Sequence, residues 1–252
     1  MISKELVKRA IEFDNPERVP YNFDSNRTPE IDRKYGDDVE WVFVDADPDF
    51  VPQINTEYEY ENEWGVVYNR LGKTFGEAKK YPLRDISNVY DYKIPDFSKP
   101  ERYKSIEKAV KEKSDKYIMG MFPHFLFLHM LDLFGFENLM IELVDNEDEV
   151  GYFADRLMES CIKVVHHMAD KGVDGIIAIE DLGVQDRLII SPAMWRKLFK
   201  PRYEKIIKEI HARGMHFILH SCGYIIELIE DMIEIGVDVV QIDQQDNMGI
   251  DR

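Results

Sequence analysis

Apolar and polar residues follow a regular order in the second half of the chain. The phrases KGVDGIIAI, RGMHFILH and IGVDVVQI share one pattern: a helix ends at glycine, an apolar run follows, and polar residues come where the run ends. Runs this apolar are typical of parallel strands, which have helices on their faces or close into a barrel. Strands are therefore predicted at residues 117–122, 173–180, 216–221 and 237–243.

The first hundred residues show a less regular pattern. A further strand is predicted at residues 19–23, whereas residues 26–104 are irregular and rich in aromatic residues, acids and prolines. Within that stretch the alternation in WGVVYN predicts a small hairpin. Helices are predicted at residues 3–14, at 125–144 with a break at Gly135, at 147–171, and at 192–213. Because Pro201 lies inside the last of these, a break or kink is predicted near Lys200.

This order of elements predicts an α/β fold of the (β/α)8 TIM-barrel type, as a single domain over residues 1–252. The length of 252 residues, 44% of them apolar, suits one such domain. Only about five barrel strands are predicted, however, whereas a complete barrel has eight. We therefore expect a barrel that lacks its C-terminal part. Its open strand edges would favour association of the chain with itself, so a homo-oligomer is expected.

Charge and cysteine content restrict the partners and the compartment. The chain carries 49 acidic and 32 basic residues, a formal charge of −17, which repels phosphate backbones and anionic lipid. No apolar run reaches the roughly 18 residues of a membrane helix. Two cysteines give no disulfide framework, and the N-terminus has no apolar signal core. We expect a cytoplasmic protein with neither nucleic-acid nor membrane partners.

Polar residues follow three of the predicted parallel strands, at the edge of the sheet where α/β proteins bind ligands. Because side chains alternate along a strand, His220 and Cys222 point to one face, as do Gln241 and Asp243. Imidazole, thiolate and a neighbouring carboxylate suit zinc, so His220, Cys222 and Glu180 are the candidate metal ligands. The candidate catalytic residues are Asp24, Glu180, Gln241 and Asp243.

Two other residues have simpler interpretations. Cys161 lies on the apolar face of a predicted helix, beside Leu157 and Val164, which favours packing in the core. His124 follows the strand at residues 117–122, where two roles stay open: lining a pocket at the rim, or capping the next helix.

The segment from VDGIIAIE to VDVVQID resembles the uroporphyrinogen decarboxylase superfamily. The resemblance rests on the order of an SP…W…F.KP.Y element and an H.CG element, and extends back to KRAIEFDNPERVPYNF. Members of that superfamily are (β/α)8 barrels, among them the haem-pathway decarboxylase and zinc-dependent corrinoid methyltransferases. The H.CG element resembles the zinc motif of the methyltransferases, which implies that His220, Cys222 and Glu180 are ligands. Their later cysteine ligand has no counterpart, because no cysteine follows Cys222.

The resemblance implies a corrinoid-linked methyltransferase. Such an enzyme moves a methyl group, with the help of zinc, between a small-molecule donor or a thiol and a cobamide on a corrinoid partner protein. One alternative is a cofactor-free uroporphyrinogen decarboxylase (a lyase), but NFDSNRTPEIDRKYG has Arg27 without the paired arginines that grip carboxylates. Asp24 and Glu30 flank Arg27 with the wrong charge for a polyanionic substrate. A second alternative is a non-catalytic remnant or partner subunit.

Overall fold

The fold is described in a computed structural model that covers residues 1–23, 29–71, 74 and 76–249. Over these residues one parallel sheet has the strand order β1-β5-β6-β7-β8, and a small antiparallel sheet has the order β2-β3-β4. The strands are β1 (Val39–Phe43), β2 (Glu59–Glu61), β3 (Val67–Asn69), β4 (Glu77–Lys80), β5 (Tyr117–Met121), β6 (Gly175–Ile179), β7 (His216–Ser221) and β8 (Val239–Ile242). The parallel sheet agrees with the expected truncated barrel, and within the described residues its strands do not close into a complete barrel.

Helices connect the parallel strands and cover the outer face of their sheet. Two of them are separated at Gly135, whose φ of 81° lies in the region that glycine enters without a steric penalty. None of the described helices is both long and apolar enough to span a bilayer. The helices are α1 (Ser3–Ile11), α2 (Pro29–Tyr35), α3 (Lys104–Glu112), α4 (Phe127–Phe134), α5 (Phe136–Asp145), α6 (Glu147–Lys171), α7 (Pro192–Leu198), α8 (Lys200–His211) and α9 (Ile229–Glu234).

The predicted helix breaks are confirmed. The break between α4 and α5 falls at Gly135, and the break between α7 and α8 falls at Phe199, two residues before Pro201. Proline has no N–H to donate and disfavours helical backbone in the residue before it, so α8 begins where proline is tolerated, in its first turn. Helix α7 begins after Ser191, whose side chain accepts a hydrogen bond from Met194 N at 3.2 Å.

The two faces of the parallel sheet belong to different apolar clusters. Outward-facing residues such as Ile176 and Phe217 join the large core beneath the helices. Inward-facing residues such as Ile177 and Ile218 form a smaller cluster, closed at one end by Val7 of α1. In the register between β6 and β7, Ile179 lies opposite His220. The inner face therefore leads directly to the polar residues at the carboxyl ends of the strands.

The predicted strand at residues 19–23 is wrong, because these residues are not paired in a β-ladder. Their backbone donors bind carboxylates instead: Tyr21 N donates to Asp38 Oδ2 at 2.6 Å and Phe23 N to Asp37 Oδ2 at 3.2 Å. The strand beside β5 is β1, which lies in the stretch predicted to be irregular. The four other predicted strands are confirmed as β5, β6, β7 and β8.

The hairpin predicted around WGVVYN is confirmed as part of the antiparallel sheet, which covers one side of α4. Trp64 is buried between β2 and β3, with its ring centroid 4.8 Å from that of His124 and 4.1 Å from that of His129. The Tyr92 hydroxyl donates to Trp64 O at 2.6 Å. The ring contacts attach the antiparallel sheet to α4 and to the segment between β5 and α4.

Candidate metal centre

Three potential metal ligands meet at the carboxyl ends of β6 and β7. His220 is the second-to-last residue of β7, and Cys222 follows it on the same face. Asp181 comes two residues after Ile179, the last residue of the neighbouring strand β6. Cys222 Sγ is 3.5 Å from His220 Nε2, and His220 Nε2 is 3.8 Å from Asp181 Oδ1. One ligand atom from each residue lies within 4.8 Å of the other two.

These separations fit a small tetrahedral ion. Zinc–sulfur and zinc–nitrogen bonds of about 2.3 and 2.0 Å at tetrahedral angles put the two ligand atoms about 3.5 Å apart. The observed distance between Cys222 Sγ and His220 Nε2 is 3.5 Å. For nitrogen and oxygen ligands the corresponding separation is about 3.4 Å, so Asp181 needs a small movement to reach it. Three protein ligands leave a fourth tetrahedral position open.

The surroundings of Cys222 are negatively charged. Burial, and then a hydrogen bond to the Asp181 carboxylate, raise the pKa of the thiol to about 11; the charge of Asp243 acts in the same direction. Asp181 Oδ1 also accepts a hydrogen bond from Cys222 N at 3.2 Å. Carboxylates crowded around a thiol, with no positive charge among the groups that shift its pKa, are an arrangement that a bound cation would stabilise.

Glu180 lies away from this cluster, on the opposite face of the strand. Its Oε1 accepts hydrogen bonds from Leu126 N at 3.0 Å and Phe127 N at 2.8 Å, and its Oε2 accepts one from Leu128 N at 2.6 Å. The carboxylate thus satisfies the free N–H groups at the start of α4. Burial raises its pKa to about 7 although these hydrogen bonds favour the charged form.

The structure therefore brings Asp181, and not the predicted Glu180, together with His220 and Cys222. Side chains alternate along a strand, so Glu180 and Asp181 point to opposite faces, and only Asp181 shares the face of His220. Because Ile179 is the register partner of His220, the same alternation places Asp181 on that face. The alternation rule alone separates the faces of Glu180 and Asp181, and the register between β6 and β7 is needed to choose between them.

The other predicted catalytic residues have different positions. Gln241 lies opposite His220 in the register between β7 and β8, with an exposed side chain. Asp243 is exposed at the same rim, and its charge reaches Cys222. Both therefore lie beside the cluster. Asp24 lies outside the described residues.

Of two histidines near the rim, His124 is buried and His129 is half-buried. His124 is 3% exposed, and its Nδ1 and Nε2 have no hydrogen-bond partner among the described residues. Burial lowers the pKa of His124 well below its usual range and that of His129 to about 3. His124 therefore neither lines the site nor caps a helix. Cys161 is fully buried in the large core, as predicted.

The sequence of the chain matches the model of a known protein family. The family model described as uroporphyrinogen decarboxylase (URO-D) matches residues 72–252, which include Asp181, His220 and Cys222. The chain belongs to the uroporphyrinogen decarboxylase family. The match thus covers most of the chain, and it confirms the family predicted from the SP…W and H.CG elements.

One solved structure extends the comparison beyond this family match. It is described as a methyltransferase from Methanosarcina mazei, and it superposes with a TM-score of 0.71 at 16% sequence identity. The similar region covers 97% of this chain and 77% of the methyltransferase. At this identity the likeness shows a shared fold. No curated protein is significantly similar to the chain in sequence.

Proposed function

We propose that this member of the uroporphyrinogen decarboxylase family is a zinc-assisted methyltransferase. It would move a methyl group between a small-molecule donor or a thiol and a cobamide carried by a corrinoid protein. The observation that carries the proposal is the group formed by Asp181, His220 and Cys222, whose ligand atoms lie within 4.8 Å of one another. The shared fold with a protein named as a methyltransferase supports it.

Each residue of the cluster has a defined task in this proposal. His220 and Cys222 bind the ion from one strand end, and Asp181 binds it from the next. Zinc bound there would hold a substrate thiol as thiolate, or withdraw electron density from the oxygen of a methyl donor. Cys222 must release its thiol proton when the ion binds, so binding should weaken as the pH falls.

The surroundings of the cluster suit a small substrate with an apolar part. Ile179 is 38% exposed and lies opposite His220, so it offers apolar surface next to the metal ligands. Gln241 flanks His220 on the other strand and offers an amide for hydrogen bonding to the substrate. Asp243 adds negative charge beside the thiol. A neutral or cationic substrate group would be favoured there over an anionic one.

Zinc content tests the proposal directly. We expect close to one zinc per chain in natively purified protein, measured by plasma mass spectrometry, and a loss of nearly all of it in Cys222→Ala. The matched control is Cys161→Ala, which removes the other cysteine, a fully buried core residue outside the cluster. That variant should keep its zinc. Zinc-free wild-type protein, or equal zinc in the Cys222 variant, would contradict the proposal.

The reaction itself is tested by methyl transfer from methylcobalamin to small thiols, and by methylation of reduced cobalamin with O-methyl donors. We expect turnover that a zinc chelator abolishes and that added zinc restores. The family description favours uroporphyrinogen decarboxylation as the second candidate. That candidate predicts porphyrinogen turnover that is insensitive to chelators and to Cys222→Ala. Absence of both activities and of zinc would leave the non-catalytic interpretation.

A further inference from the structure

The ligands of the candidate metal centre come from two separate loops, which touch through their backbones. One loop follows β6 and carries Asp181; the other follows β7 and carries Cys222. Gly183 of the first loop and Gly223 of the second approach each other without intervening side chains. We call residues 182–184 and 221–224 together the rim clasp.

Hydrogen bonds between the loops hold the rim clasp together. Tyr224 N donates to Val184 O at 2.7 Å, and Leu182 N donates to Ser221 Oγ at 3.1 Å. The Ser221 hydroxyl donates in turn to Cys222 O at 3.0 Å. Ser221 is fully buried, so its hydroxyl is shielded from competing water. Each ligand-bearing loop is thereby fixed to the other within one to three residues of its ligand.

The backbone contact leaves no room for a side chain at either glycine. A Cβ on Gly183 would overlap the Tyr224 carbonyl and lie 2.6 Å from Tyr224 N. A Cβ on Gly223 would overlap the Gly183 carbonyl, and the φ of 76° at Gly223 adds strain for any other residue. A larger residue at either position must therefore push the two loops apart.

We infer that the rim clasp is the element that positions Asp181 against His220 and Cys222 for metal binding. The inference rests on the proposed function, because it assumes that these three residues bind zinc. Asp181 lies two residues before Gly183, and Cys222 lies next to Gly223, so separation of the loops moves the carboxylate away from the thiol. Residues that orient metal ligands in this way typically contribute 10- to 100-fold to metal affinity.

The test uses three variants and two readouts on the full chain. Gly183→Ala and Gly223→Ala separate the loops, and Ser221→Ala removes the acceptor of Leu182 N. The control for Gly223→Ala is Gly214→Ala, which has a similar φ of 69° but no atom within 4 Å of the added Cβ. Zinc affinity is measured by competition with a chelating dye. Hydrogen exchange of the Leu182 and Tyr224 amides in zinc-free protein reports the clasp itself.

We expect about 10- to 100-fold weaker zinc binding in the three clasp variants, with faster exchange of both amides. Gly214→Ala should keep its zinc affinity although it shares the backbone strain. Ser221→Thr, which keeps the hydroxyl, should restore binding relative to Ser221→Ala. Unchanged zinc affinity in variants whose amides exchange faster would overturn the positioning role and leave the proposed function intact. Failure of wild-type protein to bind zinc would overturn both.

Discussion

Replacement of Glu180 by alanine is expected to lower the free energy of unfolding by about 3 kcal/mol while leaving zinc binding in place. The carboxylate accepts three backbone N–H groups at the start of α4, and Glu180 is fully buried. A buried donor that loses its acceptor costs about 1–3 kcal/mol, and three are affected here. The cost of burying the carboxylate, which raises its pKa to about 7, offsets part of the loss.

The neighbouring carboxylate provides the matched control. The side chain of Asp181 is 40% exposed and accepts one backbone hydrogen bond, from Cys222 N. Asp181→Ala should therefore cost about 0.5–1 kcal/mol in zinc-free protein but should weaken zinc binding strongly. The two substitutions are adjacent in sequence and remove the same chemical group, so opposite effects would reflect only the face on which each side chain lies.

Urea denaturation in zinc-free buffer gives the free energies of unfolding, and plasma mass spectrometry gives the zinc content. Glu180→Gln keeps one acceptor oxygen and the side-chain shape, so it should fall between wild type and Glu180→Ala in stability. Loss of zinc in a folded Glu180→Gln protein, together with normal zinc in Asp181→Ala, would contradict this prediction. It would show that Glu180, and not Asp181, is the ligand.

The parallel part of the fold was predictable because burial leaves a strong pattern in the sequence. Strands covered on both faces appear as apolar runs, and glycines mark the helix ends before them. Strand β1 lacks that pattern, since its sequence VEWVF includes a charged residue and ends with an exposed Phe43. Residues 19–23 look more like a strand, but the carboxylates of Asp37 and Asp38 compete for their backbone donors.

The candidate site was predictable along one strand but not between strands. The spacing of His220 and Cys222 follows from the two-residue period of a strand. The choice between Glu180 and Asp181 depends on the register in which β6 lies beside β7. That register is set by pairing between segments distant in sequence, which no local sequence pattern indicates. The rim clasp depends on the same register. The contact of His124 with Trp64 is likewise non-local, because it joins the segment after β5 to a hairpin about sixty residues away.

Mild acid is expected to destabilise the protein through His124, which is buried, and His129, which is half-buried. His124 packs between the rings of Trp64 and Phe97, and His129 packs against Trp64. Burial holds the pKa of His129 at about 3 and that of His124 well below its usual range. Arg102, which pairs with Glu63, adds positive charge near His124 and acts in the same direction. Both rings therefore stay neutral in the folded chain.

The size and sign of the effect follow from counting protons. Below about pH 6.5 the unfolded chain binds two protons, at His124 and His129, that the folded chain does not bind. Glu180 acts in the opposite direction, because its pKa is about 7 in the folded chain against an ordinary value of 4.5. Among these three groups the unfolded chain thus binds one more proton, and Asp132, whose pKa burial also raises, reduces the difference. Stability should fall by up to about 1.4 kcal/mol per pH unit between about pH 6.5 and 4.5.

Substitution of the histidines should change this slope stepwise. His124→Gln or His129→Gln removes one of the two histidine protons that only the unfolded chain binds. The other is balanced by the proton that Glu180 binds in the folded chain, so stability should become nearly independent of pH within that range. The double variant leaves the raised pKa values of Glu180 and Asp132, so its stability should rise by about 1.4 kcal/mol or more for each unit by which the pH falls. Urea denaturation at steps of half a pH unit measures how the free energy of unfolding changes with pH. A constant loss of stability caused by a substitution does not affect this slope. A double variant that still loses stability in mild acid would show that other groups carry the pH dependence.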